Sequence, residues 1–276
     1  MGMSLDAITE TDAIRHVIRE IAAGRGGFIV TANLDHLRRY QIDRTYRRLA
    51  DEADLVVADG APLIWASRVA GTPLPERVAG SDLIWSLSEA AAMAERSVYF
   101  MGGSPGAAEQ ASEVLLNRYQ GFRVAGHECP PMGFEHDDVA MTELRARLTA
   151  AKPDIIYVAL GSPKQELVID ALRSHLHAEL PATWWIGVGI SFSFVTGDVQ
   201  RAPAVFQKLG LEWVHRLMQE PRRLARRYLV DGVPFALRLL AHAARQRLAN
   251  RADSADQPVP NDPDPRGGQP TTRRNP

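Results

Sequence analysis

The chain has 276 residues, 45% apolar and 24% charged, with a formal net charge of -1, an ordinary globular composition sufficient for one substantial core or two small ones. No run of about 18 uncharged apolar residues occurs, which excludes a transmembrane helix, and residues 1–20 show neither the basic nor the apolar region of a secretory signal. The single cysteine, Cys129, excludes a disulfide framework and a thiolate zinc cluster and fits a reducing cytoplasm.

The strand candidates are GFIVT (27–31), DLVVAD (54–59), SVYFMG (97–102), FRVAGH (122–127), DIIYVAL (154–160) and TWWIGVG (183–189). Helical patterns lie near 11–23, 34–50, 61–70, 81–95, 105–119, 137–151 and 163–178. Strands of continuous apolar character alternating with helices predict a mostly parallel, Rossmann-like sheet with helices on both faces. In such sheets ligands bind outside the carboxyl ends of the strands, and the polar motifs sit there. Thr31 and Asn33 end the first strand, where they suit sugar hydroxyls or phosphate oxygens, although Asn33 reads equally as a helix cap. Asp59 ends the second, as a general base in an apolar mouth or as another cap. In GTPLPERVAGSDL (71–83), Arg77 is either a diphosphate clamp or half of an ion pair with Glu76 or Asp82.

The turn MGGSPG, with Gly102, Gly103 and Ser104, allows close backbone approach and opens a helix whose N-terminus suits a phosphate. It matches neither dinucleotide nor P-loop spacing. In LGSPKQE (160–166), Gly161 sets a turn, Lys164 can meet a phosphate or remain a solvated lysine, and Gln165 can bind a sugar. Gly189 lies in WWIGVGISFSFVTGDVQRAP (184–203), read as a core strand and its turn or as a floor under a planar base or sugar. No HExxH or CxxC is present, so no metal site is expected.

The net charge is an average. Residues 1–200 hold 18 Lys and Arg against 26 Asp and Glu, whereas 201–250 hold 10 against 3. The expected organisation is an acidic body (1–200), a basic helical appendage (201–250) and a neutral, proline-rich, disordered tail (251–276). Within the appendage, helices are expected near 201–218, 221–229 and 232–249, with Val233, Leu237, Leu240, Ala244 and Leu248 on one apolar stripe. Pro221 argues against an unbroken helix carrying Arg216, Arg223 and Arg227 together, whereas Arg223 and Arg226 share a face.

In order, TANLDH, VVADGAPLIWAS, GTPLPERVAGSDL, FMGGSPG, LGSPKQE, GVGISFSFVTG, RAP and GLEWVHRLMQEPRRLARRY resemble the WecG/TagA/CpsF family of bacterial glycosyltransferases over about residues 28–230. The resemblance implies metal-independent, inverting transfer of an N-acetylmannosamine-type sugar or other hexose from a UDP-sugar to a polyprenyl-diphosphate-linked sugar, in surface-polysaccharide or wall-polymer synthesis. It places the general base on Asp59 beside Thr31, substrate contacts on Asn33, Arg77 and Gln165, and lipid-diphosphate contacts on Arg216, Arg223 and Arg226. It also implies a C-terminal membrane-targeting appendage and a cytoplasmic enzyme peripheral on the inner membrane face. A homo-oligomer is compatible with it. Ser193 departs from the family, which often carries an acid there.

Two other readings remain: another nucleotide-dependent α/β enzyme such as an oxidoreductase, and a nucleic-acid-binding protein. Aromatic interleaving is sparse among the arginines of the basic segment (Trp213 and Tyr228), which argues against nucleic acid.

Overall fold

A computed structural model of the chain describes residues 2–208 and 210–255; the side chain of Arg223 and, from residue 256, the expected tail lie outside the described residues. Six strands, β1 (Gly27–Ala32), β2 (Leu55–Ala58), β3 (Ser97–Gly102), β4 (Arg123–Glu128), β5 (Ile155–Ala159) and β6 (Trp184–Gly187), form one parallel sheet in the order β2-β1-β6-β5-β3-β4. All six follow the expected runs.

The helices of the body are α1 (Glu10–Ala22), α2 (Leu34–Ile42), α3 (Arg44–Asp51), α4 (Ala61–Ala70), α5 (Gly80–Met93), α6 (Ala107–Arg118), α7 (Asp138–Ala151), α8 (Lys164–Leu176) and α9 (Ser191–Thr196). The sheet side chains alternate between two cores. Ile29, Val57, Phe100, Tyr157 and Ile186 pack under α1, α5, α6 and α9. Val30, Ala32, Met101, Val158 and Trp185 pack on the other face, beneath α4, α7 and α8. Burial of both faces explains why the strands read as continuous apolar runs rather than as alternating ones.

Two differences from the expected elements have local causes. The pattern over 34–50 is two helices, because the Asp43 carboxylate accepts from the N–H groups of Thr45 and Tyr46 and starts α3 afresh. ISFSF, expected as the turn that follows the strand, is the helix α9: Gly189 turns the chain at φ 56° and Phe192 and Val195 then share one buried face.

The C-terminal segment continues as α10 (Ala204–Lys208), α11 (Glu212–Gln219), α12 (Pro221–Ala225), a π-helical turn (Arg226–Gly232) and α13 (Val233–Ala255). The chain breaks at Glu220 and resumes with Pro221 in the first helical turn, where its missing N–H costs nothing. In the π turn the N–H of Val233 donates to the carbonyl of Tyr228, five residues back. Pro234 follows, and it cannot donate to the preceding turn.

Helix α13 docks on the body through Phe235, Leu239 and Ala243, which pack against Leu37 and Ala66. The expected apolar stripe is therefore divided: Val233, Leu237 and Leu248 point to solvent, while Leu240 packs at the edge of the docked face. No helix among the described residues is long and apolar enough to cross a membrane.

Candidate active site

The strand order reverses direction twice, and each reversal opens a crevice at the carboxyl ends. After β1 the chain enters α2 on one face, and after β6 it enters α9 on the other. After β3 it enters α6, and after β5 it enters α8, again on opposite faces.

The β1/β6 crevice collects Thr31, Asn33, Asp59, Arg77, Gln165 and Gly189. Thr31 is buried and donates from Oγ1 to the Gly187 carbonyl at 3.4 Å. Asn33 caps α2: its Oδ1 accepts from the N–H groups of Asp35 at 3.0 Å and His36 at 3.3 Å. The capping role is thus realised, and it uses the oxygen rather than the amide nitrogen.

Asp59 does not cap α4, whose first position is Gly60 without a side-chain bond. Its N–H donates to the Ala32 carbonyl at 2.7 Å, which pins it to the end of β1. Its carboxylate lies 3.6 Å from Arg77, with the two side chains 27% and 24% exposed at the cleft mouth. The mass of protein around the carboxyl pushes its pKa up to about 6; Arg77 and His36 oppose the rise, and Glu212 and Asp82 add to it. A carboxyl titrating there is suited to accept a proton near neutral pH.

Arg77 also pairs with Asp82 at 3.0 Å, as the ion-pair alternative anticipated, and with Glu212 at 3.4 Å. Asp82 stands in the first turn of α5, where a carboxylate also complements the helix dipole.

Gln165 is buried, and its Oε1 accepts from the Gly189 N–H at 3.1 Å. Gly187 is required beside it, because a Cβ there would collide with the Gln165 amide. The Gln165 Nε2 donates to Glu166 at 2.9 Å. Glu166 faces His36 Nε2 at 3.5 Å, both side chains being buried. His36 Nδ1 accepts from the Asn33 N–H at 2.9 Å, which places the ring proton on Nε2, toward Glu166. Burial raises the Glu166 carboxyl, but interactions with His36 and Gln165 outweigh it and hold the pKa below its usual value. A continuous polar chain therefore ties together the ends of β1, β5 and β6. Sequence reasoning missed His36 and Glu166 as members of this chain; Glu166 stands in GSPKQE and His36 in TANLDH, but their 130-residue separation gave no sign of contact.

The β3/β5 crevice holds the glycine-rich turn. Gly102 and Gly103 have φ of 99° and 83°, and a Cβ on Gly102 would come within 2.8 Å of the Ala159 carbonyl. Gly106 caps α6 without a side-chain bond, and Ser104 is exposed on the turn, its carbonyl accepting from Ala107. Gly161, at φ 73°, starts the neighbouring turn, and its carbonyl accepts the Gln165 N–H. Lys164 is not freely solvated: its Nζ pairs with Glu135 at 2.7 Å and lies over the Phe134 ring.

The appendage reaches the β1/β6 crevice through α11. Glu212 meets Arg77 and Arg201, while Arg216, one turn on, lies 6.0 Å over the Phe194 ring. Arg226 is exposed at the start of the π turn, and the helix break at Glu220 separates it from Arg216. Arg227, by contrast, docks on Asp35 at 3.1 Å, and Asp231 on Arg38 at 3.1 Å. Part of the basic charge of the segment is thus consumed in holding it to the acidic body.

The profile of the glycosyl transferase WecG/TagA/CpsF family matches residues 1–249. The N-acetylglucosaminyldiphosphoundecaprenol N-acetyl-beta-D-mannosaminyltransferase of Bacillus spizizenii is 33% identical over 202 residues, covering 73% of this chain and 75% of that protein. The protein of the same name from Staphylococcus aureus is 29% identical over 219 residues, covering 79% of this chain and 81% of its own length.

Proposed function

The chain belongs to the WecG/TagA/CpsF family of glycosyltransferases, and on that premise we propose that it transfers a sugar from a UDP-sugar to a polyprenyl-diphosphate-linked sugar with inversion at the anomeric carbon. The observation that carries the reading is Asp59, a carboxylate raised to about 6 at the junction of β1, β2 and the arginine cluster. Asp59 takes the proton from the acceptor hydroxyl as the oxygen attacks the anomeric carbon, and UDP leaves from the opposite face. Thr31, Asn33 and Gln165 orient the sugars. The turn at Gly102, Gly103 and Ser104, which opens α6, with Gly161 and Lys164 beside it, receives the leaving diphosphate. Arg77, Arg216, Arg223 and Arg226 meet the lipid diphosphate. This scheme assigns no step to a metal, so turnover is expected to persist in excess chelator.

The names of the relatives favour N-acetylglucosaminyl-diphosphoundecaprenol as acceptor and N-acetylmannosamine as the sugar moved. The proposed location is the cytoplasmic membrane surface. Supporting it, Met218, Leu229, Val230, Val233 and Leu237 are exposed on the same segment as the exposed Arg222 and Arg226, an apolar and basic surface of the kind that lies in a bilayer interface.

A screen of UDP-sugars against a short-chain prenyl-diphosphate N-acetylglucosamine, read by mass spectrometry, tests the reaction, and the anomeric coupling constant of the product tests inversion. Asp59→Asn should abolish transfer with folding intact. Absence of transfer from every UDP-sugar, with tight binding of a nicotinamide dinucleotide in its place, would move the assignment to an oxidoreductase.

A further inference from the structure

Beside Asp59, two guanidinium groups and three carboxylates meet. Arg77 contacts Asp59 at 3.6 Å, Asp82 at 3.0 Å and Glu212 at 3.4 Å. Arg201 holds Asp82 with two bonds, at 2.5 and 2.9 Å, and faces Glu212 from Nε at 3.6 Å. The cluster therefore carries one more formal negative charge than positive. A diphosphate brought to these arginines meets a site already filled by carboxylates, and like charges in a half-buried cleft repel. One carboxylate has to yield.

The geometry identifies which one. Asp82 is fixed by two arginines and by its place in the first turn of α5. Asp59 is pinned through its backbone to β1. Glu212 has the weaker contacts, at 3.4 and 3.6 Å, and the Arg201 Nε that faces it is buried without a hydrogen-bond partner. Glu212 also stands on α11, an eight-residue helix outside the main cores that ends at the break before Pro221. Two N–H donors, one from each arginine, thus converge on a carboxylate that they hold loosely, the arrangement that also receives a phosphate oxygen.

We propose that Arg77 and Arg201 form an anion site of which Glu212 is the internal occupant, and that a diphosphate ester displaces Glu212 and with it the first turn of α11 from the body, leaving Arg216 on the next turn to meet the same ester. Substrate binding and the pose of the appendage are then linked, and the linkage is reciprocal: whatever draws α11 away opens the site to the diphosphate. Arg201 becomes a substrate-binding residue, and Glu212 a competitor that keeps the site closed to stray anions. The inference rests on the transferase reading only for which diphosphate is bound.

Calorimetric titration of the full chain with inorganic pyrophosphate, UDP and farnesyl diphosphate tests it. Glu212→Gln, nearly isosteric, should bind pyrophosphate about tenfold tighter than wild type, within the range usual for coupled sites, and Glu212→Asp should fall between the two. Arg201→Gln should bind it more weakly than wild type. Of the two esters, the one that gains more from Glu212→Gln is the natural occupant. Amide exchange over 212–219 should quicken on adding pyrophosphate to wild type, and should already be quick in ligand-free Glu212→Gln. A Glu212→Gln protein that melts as wild type does but binds all three ligands no tighter overturns the proposal, as does exchange over 212–219 that ignores the ligand. These binding readouts do not depend on sugar transfer, so failure to transfer would strike the enzymatic reading alone.

Discussion

The titration of Asp59 gives the most direct quantitative check on the site. The carboxyl ionises at about 6 because burial raises its pKa more than Arg77 lowers it. Arg77→Gln removes the opposing charge. The Asp59–Arg77 separation is 3.6 Å, with side chains 27% and 24% exposed. An effective dielectric constant of about 40, between bulk water and a protein surface, gives about 2 kcal/mol, or roughly 1.5 pKa units. The acid limb of kcat/KM should therefore move from a midpoint near 6 to between about 7 and 8. At pH 6 the wild-type base is half ionised and the variant's only about one part in thirty, so the defect of Arg77→Gln should be about fifteenfold larger there than at pH 9. Initial rates at constant ionic strength and limiting acceptor, from pH 5 to 9, read this out. Glu212→Gln should shift the midpoint the other way, because Glu212 raises Asp59. Arg77 lost at no cost to the midpoint, with activity lowered equally at every pH, would refute the assignment of Asp59 as the titrating base in contact with Arg77.

Three further outcomes follow from the same contacts. Because the Asp59 pKa rises from 3.8 to about 6 on folding, the ionised carboxylate costs stability above pH 6, and the cost fades as pH falls and is gone below about 4. Asp59→Asn should thus gain about 2 kcal/mol, allowing for partial exposure, and raise Tm by several degrees at pH 7.5 but not at pH 3.5, as scanning calorimetry would record. Glu166→Ala should cost about 3 kcal/mol in urea denaturation by leaving the Gln165 amide buried without its acceptor and removing the carboxylate that faces His36, whereas Glu166→Gln should cost less than half of that. Phe235→Ala, in the small core between α13 and the body, should release the appendage in a separate early transition at lower denaturant, by about 3 kcal/mol, while the sheet melts as before.

The sheet was legible because each strand is rich in β-branched or aromatic residues, most end in Gly, Asp or Thr, and burial on both faces makes the runs continuously apolar. The crevice residues were legible for the related reason that Thr31, Asn33, Asp59 and Gln165 each follow such a run, at the end where the fold gathers ligands. Asp43 was hidden because the helical periodicity of Leu37, Tyr40, Tyr46 and Leu49 carries on across the break it makes. The helix that begins in ISFSF went unread because its six residues are too few to show a helical period. Arg201, Asp82 and Glu212 stayed unread as a cluster for a different reason: their partners lie 119 and 135 residues away, and no local spacing encodes a contact of that range.

The π turn at Arg226–Gly232 works as a phase shifter. Each residue of an α-helix advances the angular position of its side chain by about 100° and its height by about 1.5 Å. A turn closed over five residues instead of four therefore resets the azimuth of everything after it. Within the turn, Arg226 and Leu229 are exposed; downstream, Phe235, Leu239 and Ala243 point inward onto Leu37 and Ala66. Were the same residues wound as an ordinary α-helix, the inward stripe would swing aside by roughly a quarter-turn or more, uncoupling the anchor from the arginines without altering either. The winding between the basic and the anchoring stretches, and not only their residues, is consequently part of what the sequence specifies.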